Sequence, residues 1–233
     1  MTFKSWMGTC LMLFSLAGVC RAHDVWLVTK VDRLELLYGH ETPEVYNPVK
    51  VTDYKGYDVD GKLLMLKTVP MPEAFGLAVD PRVAMITVVF DNGYWVAGSS
   101  AEWKNVSLET ARTFPAFHHP VKLHKSLYAW SNRFSEPVGL ALEIVPLRDP
   151  FKAKGVLPVR ILFDGKPLPN AKVEFGIHGD KAPSLQADAQ GEASVPVTSS
   201  GEQFIAVDFA PPTPAGADPV SYATSLRYEL KGK

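Results

Sequence analysis

"LPVRILFDGKPLPNAKVEFGI", Leu157 to Ile177, is the stretch that decides the fold. Its two flanks, Leu157–Phe163 and Lys172–Ile177, are rich in branched and aromatic side chains and show partial alternation of apolar and polar residues, the two-residue period of a half-buried strand. Between them, Asp164 to Ala171 crowds turn formers, each for its own reason. Glycine tolerates positive φ, proline presets φ, and Asp or Asn bonds its own backbone. A helix cannot run through the segment, because proline lacks the amide hydrogen and clashes with the preceding turn. The reading is strand, turn cluster, strand.

The same pattern extends outward. Upstream, "VAMITVVF" (Val83 to Phe90) is a β-branched apolar run suited to a strand buried on both faces. Downstream, "FIAVDF" (Phe204 to Phe209) and "ATSLRYEL" (Ala223 to Leu230) continue the series, with "APPTPAGADP" (Ala210 to Pro219) as a surface loop between them. The 19 prolines leave little room for long helices. Only "SLETARTF", Ser107 to Phe114, reads as a short helix. The predicted class is all-β, with two β-sandwich-like domains. Polar, proline and glycine residues cluster at "VPLRDPFKAKG" (Val145 to Gly155), which places the join there. Residues 23–147 are expected to form an N-terminal β domain, and residues 148–233 a smaller immunoglobulin-like sandwich. No internal repeat is present.

The first 22 residues read differently. Lys4 is followed by an apolar run from about Cys10 to Cys20 and then by Arg21-Ala22, the layout of a cleavable secretory signal. The run is short of the roughly 20 residues that span a bilayer. Cys20 suggests a lipid attachment site, but Val19 is bulky where such signals need a small residue. A cut after Ala22 leaves a mature chain starting at His23, exported to the periplasm with no membrane span. Both cysteines leave with the signal, so the mature chain has neither disulfide nor thiolate. Lys4 and Arg21 leave too, so 22 basic residues remain of the original 24, against 25 acidic ones. That balance offers no basic footprint for nucleic acid.

No G-x-S-x-G, H-E-x-x-H or phosphate-binding loop occurs. "HETPE" lacks the second histidine of a zinc-protease helix and carries Pro43. No catalytic residue and no enzyme activity are therefore expected. The chemistry lies in the histidines. A neutral imidazole suits Ni, Cu, Co and Zn, and a chain without thiols must hold such ions through histidine, carboxylate or amine. A terminal His23 offers its α-amine and its ring to one ion. Asp24 adjoins it, and Trp26 and Leu27 anchor the strand just behind it. His40 sits in "GHET" beside Gly39 and Glu41. In "FHHP", His118 and His119 point to opposite faces if extended, so one of them at most faces a shared site, and Pro120 favours that extension at His119. His124 reads as a solvated surface residue, and His178 as a turn residue before Gly179. Tyr94, Trp95 and Trp103 read first as core packing and second as a ligand face.

Five stretches occur together in this order: "AHDVWL" (Ala22 to Leu27), "GHETPE" (Gly39 to Glu44), "FDNGYW" (Phe90 to Trp95), "LEIVPLRDPF" (Leu142 to Phe151) and "VRILFDGKPLPNAKV" (Val159 to Val173). On them the chain resembles the periplasmic component family of bacterial nickel/cobalt transport systems, which also carries an uncharacterised-domain label. The resemblance covers essentially the whole mature chain. It matches His23 at the mature start and Gly39-His40 in place, and it implies nickel or cobalt uptake beside a membrane metal permease. The D-G-K-P-L turn also resembles carboxypeptidase-regulatory-like modules of secreted proteins, a likeness of fold only. The expected metal ligands are His23, His40, His119 and His118. The expected cofactor is a divalent transition metal, Ni(2+), with Co(2+) or Cu(2+) as competitors. Two other functions fit the same residues: a carbohydrate-binding or adhesion β module without metal, and a copper oxidase using an N-terminal histidine brace.

Overall fold

The computed structural model describes residues 23–40, 42–98, 102–176, 182–198 and 200–231. The signal segment, Glu41 and His178 lie outside the described residues. Both flanks of the deciding stretch are strands, but they do not pair with each other: Val156–Phe163 forms a hairpin with Lys166–Pro167, in which Phe163 faces Lys166, while Lys172–Gly176 pairs with Gly201–Phe209 and Ser184–Gln186 in another sheet. The two loop residues of the hairpin, Asp164 and Gly165, both have positive φ, 47° and 72°. Such a turn matches the right-handed twist of the flanking strands, and Asp-Gly suits it. Along the first strand, Leu157, Val159 and Ile161 are buried while Pro158 and Arg160 stay half-exposed, the alternation of a one-face strand.

The protein is all-β. An eight-stranded sheet lies at its centre, in the order Ser184–Gln186, Lys172–Gly176, Gly201–Phe209, Ser221–Leu230, Pro120–Leu127, Met85–Asp91, Val51–Tyr57, Leu63–Leu64. Pro120–Leu127 and Ser221–Leu230 run parallel, with His124 opposite Ser225. A four-stranded antiparallel sheet covers one face, in the order Asp24–Thr29, Arg33–Gly39, Phe75–Ala78, Thr68–Val69. A third sheet, built on Leu142–Pro146, Val156–Phe163 and Glu192–Pro196, covers the other. The single described α-helix, Leu108–Ala111, falls within the predicted helical stretch; the hydroxyl of Ser107 caps it by accepting from the Thr110 amide at 3.2 Å. No described helix is long and apolar enough to cross a membrane.

Two hydrophobic cores fill the gaps between sheets. One joins Val25, Leu27, Leu36 and Leu77 to Ile86, Val88 and Phe90. The other joins Leu142, Ile144, Leu157 and Val159 to Met85, Leu123, Ile205, Val207 and Leu226. Met85–Asp91 therefore feeds both cores from its two faces, as its unbroken apolar run anticipates. The predicted join at Leu147 and Arg148 lies in the link between Leu142–Pro146 and Val156–Phe163, which pair as neighbours. The central sheet and the second core draw on chain from both sides of that point.

Polar side chains on Pro120–Leu127 tie the layers together. Lys125 is buried and donates to Glu143 Oε1 at 2.6 Å and to the Ile144 carbonyl at 3.0 Å. The Glu143 carboxylate also accepts from the amides of Val138, Gly139 and Leu140. Burial lowers the Lys125 pKa, and the facing Glu143 carboxylate opposes that shift.

Candidate histidine site

His124 does not lie in solvent. It is fully buried at the centre of the sheet, and the reading of it as a solvated residue is corrected. Its Nε2 accepts from the Leu27 amide at 3.1 Å, and its Nδ1 lies 2.7 Å from Ser225 Oγ, which in turn donates to the Val25 carbonyl at 3.0 Å. Because Nε2 accepts, the proton of the neutral ring is on Nδ1. Asp24–Thr29 is the edge strand of its sheet. His124 and Ser225 thus satisfy edge groups that the fold removes from water. Burial, aided by the charge of Arg227, pushes the His124 pKa down to about 3, so the ring is neutral and serves as a fastener.

The strand fastened in this way begins beside His23. Asp24 pairs with Gly39, so His23 and His40 flank the last rung of an antiparallel ladder. Their rings meet, with centroids 4.2 Å apart and planes at 40°. The His23 ring also stacks on Tyr38, 4.9 Å away at 10°, and its Nε2 is 2.8 Å from Glu44 Oε1. Gly39 explains the "GHETPE" stretch. Its φ is +145°, and a Cβ there would stand 2.5 Å from the Thr42 carbonyl oxygen, so only glycine allows the chain to fold back on itself. Gly39 then bridges to Pro43, and the Glu44 amide donates to the Tyr38 carbonyl at 2.8 Å. These contacts deliver the Glu44 carboxylate to His23.

A contact chain leads inward from this rim. The Tyr38 hydroxyl accepts from Asn92 Nδ2 at 3.1 Å, and Asn92 Oδ1 accepts from Lys50 Nζ at 2.7 Å. Burial, which outweighs the hydrogen bond from Asn92, raises the Tyr38 phenol to about 12, so it is neutral near pH 7. Burial lowers the Lys50 pKa, with Asp91 opposing. Beside Asn92, Asp91 Oδ1 lies 2.8 Å from His119 Nε2, and the His119 ring packs on Tyr94 at 4.3 Å. His118 turns to the other side. Its backbone pairs with Trp95, and its ring meets the edge of Trp103 at 4.9 Å. Adjacent residues at a strand start thus part as extended geometry requires.

The structure therefore brings His23 and His40 together, links His119 to Asp91, and sets His118 among tryptophans. Among the described residues, no three His, Cys, Asp or Glu side chains are arranged to hold one ion. Sequence reasoning passed over Glu44, Tyr38 and Asn92, although Glu44 and Asn92 stand inside the quoted motifs; their spacing alone carried no sign of the contacts.

Fold and rim together define an all-β protein whose first described strand begins at a histidine–carboxylate pair. The family described as a domain of unknown function, DUF4198, matches residues 20–210, and the chain belongs to it. It is 27% identical to an uncharacterized protein of Haemophilus influenzae over 159 residues, 67% of this chain and 68% of that protein. No solved structure matches.

Proposed function

We propose that this protein is a periplasmic carrier for a divalent transition metal, nickel first with cobalt or copper as competitors, and that it supports uptake through a membrane permease. The observation that carries the reading is the pairing of His23 and His40, with ring centroids 4.2 Å apart. A metal–imidazole bond is about 2.0–2.1 Å, so two nitrogens at neighbouring positions of one ion stand roughly 3 Å apart. Rings this close can present such a pair. Removal of residues 1–22 supplies a third nitrogen, the α-amine of His23. His23 and His40 are thus the primary ligands. His119 is the candidate to complete the shell, joined to the rim through Asp91, Asn92 and Tyr38, whereas His118 packs against Trp103 on the other side. The reading is of a carrier without catalysis.

Calorimetric titration of the chain beginning at His23 with Ni(2+), Co(2+) and Cu(2+) tests it. One equivalent is expected to bind, and His23→Ala and His40→Ala should each weaken binding at least about tenfold, or about 1.4 kcal/mol. Copper should bind at least as tightly as nickel, because imidazole sites follow that order. A chain that binds none of the three ions overturns the reading.

A further inference from the structure

His23 has two ring nitrogens, and only one of them can join its own α-amine on an ion. Nδ1 and the amine close a six-membered chelate ring, whereas Nε2 lies on the far side of the imidazole. Which nitrogen is available depends on where the ring proton sits. In the structure Nε2 is 2.8 Å from Glu44 Oε1. An ionised carboxylate only accepts hydrogen bonds, so a neutral His23 ring facing it carries its proton on Nε2 and its lone pair on Nδ1.

We propose that Glu44 is the positioning residue of this site: it holds His23 in the Nε2–H form, so that Nδ1 and the α-amine together chelate the metal. The inference rests on the reading of His23 as a ligand. A carboxylate behind a metal-bound histidine fixes ring orientation and makes the ligating nitrogen more basic, and its loss typically costs about 10–100-fold in metal affinity. An exposed pair of long side chains would ordinarily contribute little, and Glu44 is half-exposed. Here both partners are held in advance. The Glu44 backbone is fixed by the hydrogen bond its N–H donates to the Tyr38 carbonyl and by the bridge from Gly39 to Pro43. The His23 ring lies flat on the same Tyr38, whose hydroxyl receives Asn92. Tyr38 thus supports ring and carboxylate together, and little side-chain freedom is left to lose when the hydrogen bond forms.

The test uses the chain beginning at His23 in three forms: wild type, Glu44→Gln and Glu44→Ala. Without metal, long-range 1H–15N spectra of 15N-histidine protein should show His23 protonated at Nε2. That nitrogen should shift in Glu44→Ala while the His124 signals stay put, which also reports that the fold is intact. With Cu(2+) as probe, affinity should fall about 10–100-fold in Glu44→Ala, and by less in Glu44→Gln, whose amide oxygen still accepts. The pulsed-EPR signature of the remote, uncoordinated ring nitrogen should change in both variants. If wild type binds copper but Glu44→Ala leaves affinity and remote-nitrogen signal unchanged, the inference fails while the metal reading stands. If Glu44→Gln loses as much as Glu44→Ala and the metal-free His23 spectrum does not move, Glu44 is itself a ligand and the inference is overturned. If wild type binds no copper, both fall.

Discussion

Glu44 and Glu143 each hold a nitrogen base at under 3 Å, in opposite surroundings. Glu44 holds His23 at the rim, half in water. Glu143 holds Lys125 in the interior, where both side chains are at most 2% exposed. At the rim, water competes for both partners, so the hydrogen bond adds little stability. In the interior no water replaces a lost partner, and a buried unpaired charge is strongly destabilising. The same pairing therefore acts as a fastener in one place and as a means of orientation in the other. The histidines divide in the same way, with His124 a fastener beneath the strand that follows His23.

The largest effect should come from Lys125→Met. It strands Glu143 in the core, and the expected loss is about 3–5 kcal/mol of unfolding free energy by denaturant titration. Replacing Glu143 as well should restore only part of this, because the amides of Val138, Gly139 and Leu140 then lose their acceptor. A double variant as stable as wild type would show that the loop does not depend on Glu143.

Next comes pH. Burial holds the folded pKa of His124 at about 3, against the ordinary histidine value of about 6.5. Between those values the unfolded chain binds a proton that the folded chain refuses. The stability from the neutral ring is therefore complete above pH 6.5 and is lost as pH falls toward 3. From pH 7 to pH 5 this group should remove roughly 2 kcal/mol. His124→Asn should be less stable at pH 7 by about 1–3 kcal/mol, from the imperfect replacement of the bonds to Leu27 and Ser225. Its stability should fall less steeply between pH 7 and 5. Parallel slopes for the two proteins would place the acid sensitivity elsewhere.

At the rim the effects are smaller and concern metal rather than folding. One residue added ahead of His23 keeps the ring and moves the amine away. Nickel and copper affinity should fall at least about tenfold, or about 1.4 kcal/mol, with the thermal midpoint of the metal-free protein unchanged. Equal affinity would remove the amine from the ligand set. Smallest of all, Tyr38→Phe keeps the stack on His23 and loses the hydroxyl that Asn92 meets, for about 1 kcal/mol or less of unfolding free energy. A loss above 3 kcal/mol would mark Tyr38 as part of the interior fastening and not of the rim.

Much of this was legible in the chain itself. Period and turn chemistry are local: alternation in Leu157–Phe163, Asp164-Gly165 at the hairpin, and the unbroken apolar run before Phe90 each state a backbone preference that neighbours within a few residues enforce. The "GHETPE" stretch likewise announced a tight loop bearing His40. Partners distant in sequence were not legible. His124 and Lys125 sit in "KLHKSL", which reads as polar surface. They are interior because Pro120–Leu127 lies between Met85–Asp91 and Ser221–Leu230 and is covered on both faces. Nothing within ten residues of His124 names Ser225 or Leu27 as its partners. The role of a polar side chain depends on whether water or protein surrounds it. That is decided by which strands the fold brings together, across 97 residues for Leu27 and 101 for Ser225.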